Sequence, residues 1–280
     1  MEQAIIEQLS QQIETAIQDK DLVLPVLPQV TTNVLSLVND INSDASSLAQ
    51  LIQSDQSLAG HVMRIANSAA YSPNAKMTSL QQAIARLGMQ NIAEIAMAAT
   101  MGPKLFVAPG FESVIKDLWE SSLATAVWSR EIARIARRNV ESTFLCGLLY
   151  QIGRPAVLQV ILDFAAKNDI QVKPQCANLM MSAYQRSVGL IMAEQWQLPK
   201  AVSDTISDID SKGEFKAANE IIDAVRSGRV FASALKEPNY DAAVISNNAS
   251  VIAMNLYMDD VEQLIERADT VQQTIEALKL

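Results

Sequence analysis

Side chains able to do chemistry are few in this chain. Its 280 residues include one histidine, His61, and two cysteines, Cys146 and Cys176. Histidine is the commonest metal ligand and a frequent general base. A single copy therefore argues against His-rich metal sites and zinc ribbons. A nucleophilic triad would need a serine to meet His61, and no nucleophile-elbow motif occurs. His61 lies on the Leu58/Ile65 side of a helical pattern, which reads as a surface or partly buried structural residue. The two cysteines sit in apolar surroundings and read as buried, reduced thiols. No aspartate-rich calcium loop is present. Arginine offers more: Arg130, Arg134, Arg137 and Arg138 fall on one side of a helical pattern, opposite Trp128, Ile132 and Ile135. Guanidinium forks suit phosphate, carboxylate or a partner's acidic groups. A solvated face paired with acids such as Glu131 is the plainer reading.

Charge narrows the partners. Lys and Arg total 22 against 31 Asp and Glu, a net charge of −9. Residues 1–110 hold 5 basic and 9 acidic groups, and residues 111–280 hold 17 and 22. Neither part has the basic excess that binding to a polyphosphate rewards, so bulk nucleic acid is disfavoured. Anionic membranes are disfavoured too. The start, MEQAIIEQLSQQIE, lacks the basic region and apolar run of a signal peptide. No window of about 18 uninterrupted apolar residues suggests a membrane span. Together with the thiols, these features lead to an expectation of a cytoplasmic location.

The elements that must position these groups are helical. Gly and Pro number only 9 each, roughly 3% apiece against averages of about 7% and 5%. So few turn residues argue against a fold of many short strands. Apolar residues recur at helical period over 3–18, after Pro28, and over 57–68, 79–88 and 89–107. Further helices fit 112–138, 142–149, 156–167, 175–195, 199–209, 215–235, 240–257 and 259–278. Ser47 with Gln50, and Ser79 with Gln82, have capping-box spacing. Pro25 and Pro28 force an extended lead-in, and Gly88 suits a helix end needing positive φ. The expected fold is all-α, in two packed helical lobes that divide near Gly102–Gly110.

Four sequence blocks carry a resemblance. They are Leu24–Pro28, Asp55–Gln56, Ala66–Tyr71 and Ser79–Gly88. Their order and spacing resemble the HDOD domain, a bacterial regulatory module related to HD and HD-GYP phosphohydrolases. Weaker similarity continues to about residue 210. The Ala-Asn-Ser-x-x-Tyr block reads physically as a turn in which Asn67 and Ser68 satisfy loose backbone groups. The resemblance implies an N-terminal helix at 1–21, a helical lobe at 22–110, and an HD-like helical bundle at 111–280.

HD enzymes hold divalent metals through histidines and aspartates, with nitrogen and hard oxygen donors. Such a metal acidifies a water and polarises a phosphoryl group. Carried over position by position, the ligands are mostly gone. Ser121 replaces the first histidine, in Trp119-Glu120-Ser121-Ser122. Tyr150 and Gln151 replace the His-Asp pair before Ile152-Gly153. Gln185 replaces a histidine ahead of Val188-Gly189, and Ile209-Asp210 replace a His-His pair. Only Asp210 keeps a hard ligand. The resemblance therefore implies a scaffold that lost its metal: no catalytic residue, no metal and no cofactor. Ser121, Tyr150, Gln151, Gln185 and Asp210 would line the remnant pocket, as a hydrogen-bonded plug or a ligand site. Arg154, where HD-GYP relatives often carry a phosphate-contacting lysine, is a phosphate or partner candidate beside Arg130, Arg134 and Arg137. The expected function is non-catalytic signalling through protein partners. The alternatives are a metal-dependent phosphohydrolase or cyclic-dinucleotide phosphodiesterase, and a sensor that binds a nucleotide messenger without cleaving it. Apolar helical surface also allows a homodimer.

Overall fold

The computed structural model describes the chain apart from residues 1, 20, 41, 73–75, 103–104, 212–218, 238–239 and 280. Among the described residues the regular elements are sixteen α-helices, with no strand. They are α1 (Glu2–Gln18), α2 (Gln29–Asn39), α3 (Ala45–Gln53), α4 (Gln56–Ala66), α5 (Leu80–Leu87), α6 (Met89–Thr100), α7 (Glu112–Ile135) and α8 (Val140–Leu149). There follow α9 (Gly153–Lys167), α10 (Pro174–Gln195), α11 (Lys200–Asp208), α12 (Glu220–Ala234), α13 (Ala242–Ser246), α14 (Ala249–Ala253), α15 (Met258–Glu266) and α16 (Ala268–Leu278). The all-α expectation holds.

Helix starts follow side-chain chemistry. Asp55 caps α4 by accepting from the Leu58 amide at 3.0 Å. Ser79 caps α5 through the Gln82 amide at 3.1 Å. Gln82 reaches back to the Thr78 amide at 2.8 Å rather than to Ser79. The cap of α3 is Asp44, not Ser47: the Ser47 amide donates to Asp44 at 2.7 Å. A carboxylate outcompeted the hydroxyl three positions on. Such caps satisfy amides that have no partner within the helix.

The helix ends at Ile135 and Ala253 fall short of their sequence expectation, while α9 and α10 end at Lys167 and Gln195 as expected; all four close in the same way. Arg137, Asp169, Gln197 and Asn255 all have φ of +52 to +54°. The amide of the residue after each reaches a carbonyl five residues back, for example Arg138 to Ala133 at 2.8 Å. This closing geometry usually recruits glycine. Here other residues adopt it, so α7 stops at Ile135 without a glycine to mark the place. The expected helix 240–257 is two short ones, because Asn248 caps a new start through Ser250. Expected helix 259–278 likewise breaks at Arg267. Of the expected helix 215–235, positions 215–218 lie outside the described residues, and α12 begins after the Asn219 cap.

The chain divides into two compact units, each assembled from three stretches. The first takes residues 1–26, 103–122 and 148–213; the second takes 27–102, 123–147 and 214–280. Each draws on both sides of the Gly102–Gly110 region. Within the first unit, α10 packs along α9, and α1 lies against both. Leu9 and Ile13 of α1 are buried, and full burial of such a side chain is worth about 1.5–3 kcal/mol. The Tyr184 hydroxyl donates to Glu14 at 2.7 Å. Trp196 Nε1 donates to the Pro25 carbonyl at 2.9 Å and so fixes the extended lead-in. Within the second unit, α4 and α2 pack on α6, and Trp128 of α7 meets Phe231 of α12 with ring centres 5.2 Å apart. Gly228 lets α12 approach the Ser129 turn of α7: a Cβ there would lie 2.8 Å from the Thr125 carbonyl oxygen.

By length and composition, the stretch Ser142–Lys167 could cross a membrane, with mean hydropathy 1.4. It is interrupted between α8 and α9, and 78% of its most apolar window is buried inside the protein.

Candidate functional site

The positions expected to ring a metal all fall within the first unit. Tyr150 and Gln151 occupy the turn between α8 and α9, and both are buried. Gln151 Nε2 donates to the Leu118 carbonyl at 3.1 Å and to Ser122 Oγ at 2.9 Å. On α7 it is thus Ser122, buried to 5% exposure, that Gln151 engages, while neighbouring Ser121 is half-buried. The motif position in Trp119-Glu120-Ser121-Ser122 points to Ser121, one residue before the serine that Gln151 engages. Gln185 of α10 donates through Nε2 to Asp210 Oδ2 at 3.0 Å. Backbone contact links the two groups of residues: a Cβ on Gly153 would lie 2.0 Å from the Gln185 carbonyl oxygen and 2.8 Å from the Gly189 amide nitrogen.

This donor set does not fit a divalent metal. Amides and hydroxyls are weak neutral ligands, and the lone carboxylate is engaged by an amide donor. Among the described residues no three His, Cys, Asp or Glu side chains gather to hold an ion. Gln151 satisfies buried polar groups of α7, while the Gln185–Asp210 contact is exposed. Arg154 lies in the first turn of α9, half-buried, with no hydrogen-bond partner for its buried Nε.

The arginines expected on one open face are separated by the structure. Arg130 is buried at 5% exposure, paired to Glu94 at 3.0 Å, and its guanidinium lies 5.6 Å from the centre of the Phe144 ring. Glu131, also buried, pairs with Arg134 and, at 2.9 Å, with Arg267. Arg137 lies exposed beyond the helix end, and Arg138 reaches Glu220 at 2.9 Å. The Tyr71 hydroxyl hydrogen-bonds with Arg130. Tyr71, Arg130, Glu131, Arg134, Arg267, Thr270 and Thr274 line a cleft of about 230 Å³ in the second unit. Arg267 was missed from sequence, since it lies 136 positions from Glu131 with no local pattern linking them.

Burial pushes the Tyr71 hydroxyl above its ordinary value. Burial works to lower the Arg130 pKa, but Tyr71, Glu94 and Glu131 outweigh it and raise it. Burial also pushes the Glu94 carboxyl up, with Arg130 pulling the other way. A raised carboxyl binds its proton more tightly in the folded chain than in the unfolded one. Its stabilising contribution is full below the ordinary value of 4.5 and is lost as pH rises through the raised one. The stability of the wild type relative to Glu94→Gln should therefore fall as pH climbs above 4.5. Urea unfolding across pH reads this directly, and a difference that grows with pH would contradict it.

Residues 24–211 match the HDOD domain. The chain belongs to the HDOD family. Over 193 residues it is 22% identical to an uncharacterized protein of Treponema pallidum (strain Nichols); the match covers 65% of this chain and only 37% of that protein. The HDOD chain also resembles a solved structure from Shewanella amazonensis SB2B, described as a candidate metal-dependent phosphohydrolase. Its TM-score is 0.76, at 19% identity over 99% of this chain and 100% of the other. A candidate signal transduction protein from Marinobacter aquaeolei VT8 has a TM-score of 0.67 at 17% identity, covering 98% of this chain and 66% of that one. Identities this low carry the HD-like helical fold and no activity.

The HDOD blocks now have physical roles. Asn67 donates to the Met63 and Met77 carbonyls at 3.0 and 2.9 Å and accepts from the Met77 amide at 2.6 Å, which closes the turn. Tyr71 rests its hydroxyl on the buried Arg130. Gly88 has φ +86°, the conformation that joins α5 to α6. Gly153 and Gly189 mark the closest approach of α9 and α10.

Proposed function

We propose that this HDOD protein is a non-catalytic regulatory module that acts by binding other proteins in a bacterial signalling pathway. The observation that carries this reading is that side chains at the expected ligand positions are spent on hydrogen bonds to one another and to α7. Gln151 and Gln185 spend their amides on Leu118, Ser122 and Asp210, where a phosphohydrolase would need open metal coordination. Two buried cysteines outside any disulfide support a reducing, cytoplasmic setting.

Purified protein should contain far less than one equivalent of Fe, Mn or Ni. It should leave phosphomonoesters and cyclic dinucleotides uncleaved when those metals are supplied. Affinity capture from its own bacterium should return a reproducible signalling partner. Stoichiometric metal with metal-dependent turnover would replace this reading by the phosphohydrolase one.

A further inference from the structure

We propose that the arginine-lined cleft of the second unit binds a small phosphate-bearing ligand. Three guanidinium groups, of Arg130, Arg134 and Arg267, line one cleft together with the Tyr71 ring, Asn91 and Thr270. Glu131 grips one terminal nitrogen of each outer arginine, Nη1 of Arg134 and Nη1 of Arg267. That grip fixes the two forks and leaves their other N–H groups to serve a ligand. Both side chains remain nearly half exposed, at 46% and 43%. The side-chain freedom normally lost on binding has in part been given up already.

Arg130 forms the inner wall. Arg130 has a side-chain exposure of 6%, and its Nε has no hydrogen-bond partner. Glu131 Oε1 lies 3.7 Å from that nitrogen, too far for a hydrogen bond. That nitrogen is itself enclosed, so contact with a ligand falls to the half-exposed forks of Arg134 and Arg267. Formal charge agrees. Three arginines against Glu94 and Glu131 leave a local positive excess in a chain whose net charge is −9. Multiple forks from different elements suit the several oxygens of a phosphate better than the single plane of a carboxylate.

Size limits the ligand. At about 230 Å³ the cleft is below the ~300–1,000 Å³ of pockets for drug-sized molecules. It suits inorganic phosphate or a phosphate monoester of a small alcohol, and a cyclic dinucleotide is too large to enter whole. Arg267, Thr270 and Thr274 come from beyond the matched HDOD residues 24–211, so the third wall belongs to this chain's C-terminal helices. Ligand binding here goes beyond the partner-binding reading and holds whether or not that reading survives.

The test uses the full chain at constant ionic strength. Inorganic phosphate and glycerol phosphate are titrated and followed by calorimetry and by the NMR signals of arginine side-chain N–H groups. Saturable binding that shifts an arginine Nε–H signal, weaker by about 10-fold or more in Arg134→Gln and Arg267→Gln, is the expected result. Charge-assisted hydrogen bonds of this kind justify that factor. The two outer arginines are exposed enough to be replaced without loss of the fold, which circular dichroism verifies. Equal affinity in the folded variants, or no more binding of phosphate than of chloride, overturns the proposal. So does a cyclic dinucleotide that binds and shifts these arginines where phosphate does not.

Discussion

Gly153→Ala is expected to cost about 3 kcal/mol or more, enough to leave little folded protein. Overpacking in a dense interior usually costs about 1–3 kcal/mol, because neighbouring side chains give way. Here the neighbours are backbone. The new Cβ would sit 2.0 Å from the Gln185 carbonyl oxygen, 2.8 Å from its carbonyl carbon and 2.8 Å from the Gly189 amide nitrogen. Relief requires α9 to move away from α10, the most extensive helix contact of the first unit. It would also strain the Gln185 and Gln151 hydrogen bonds. Gly60→Ala is the control: that glycine lies inside α4 with nothing within 4 Å of a Cβ. It should stabilise by about 0.5–1 kcal/mol through helix propensity. Urea unfolding of the two variants beside wild type settles the contrast. A Gly153→Ala protein as stable as wild type would mean that the two helices are not held this closely.

The second large effect is expected at Arg130. Arg130→Met keeps the bulk and removes the charge, leaving Glu94 and Glu131 buried at 2% and 6% exposure. Breaking one side of a buried pair costs about 3–5 kcal/mol, since the remaining charge is left uncompensated. Glu131 keeps Arg134 and Arg267, so most of the burden falls on Glu94. Two further measurements separate this from lost packing against Phe144. The loss should shrink at acid pH, where Glu94 is protonated, and adding Glu94→Gln to the variant should recover a substantial part of it. A loss independent of pH and unrelieved by the double substitution would assign the effect to packing alone.

Much of the helical body was legible because apolar residues recur at the helix period and polar residues cap the starts. Asp55, Ser79 and Gly88 could be placed from local pattern alone. The ends at Ile135 and Ala253 were not, because Arg137 and Asn255 take a conformation that glycine normally advertises, whereas α9 and α10 end where expected. The HDOD resemblance singled out Gln151, Gln185 and Asp210, and the structure places Gln185 beside Asp210 and, through its backbone, beside Gly153. The arginine cleft was not legible. A helical wheel separates Arg130 from the apolar residues, whereas Glu94, Tyr71 and Phe144 make a buried position tolerable for it. Pairings across 36 and 136 positions leave no trace in local periodicity.

The threefold interleaving of each compact unit bears on how this protein can be taken apart. A fragment ending near Gly110 would contain residues 1–26 of one unit and 27–102 of the other, and the remainder of neither. Helix α7, cut anywhere, is lost to one unit or the other, since residues 112–122 serve the first and 123–135 the second. Deletion mapping would thus score misfolding rather than the loss of a binding region. Point substitutions on the intact chain are the route by which a partner surface or a ligand site can be located.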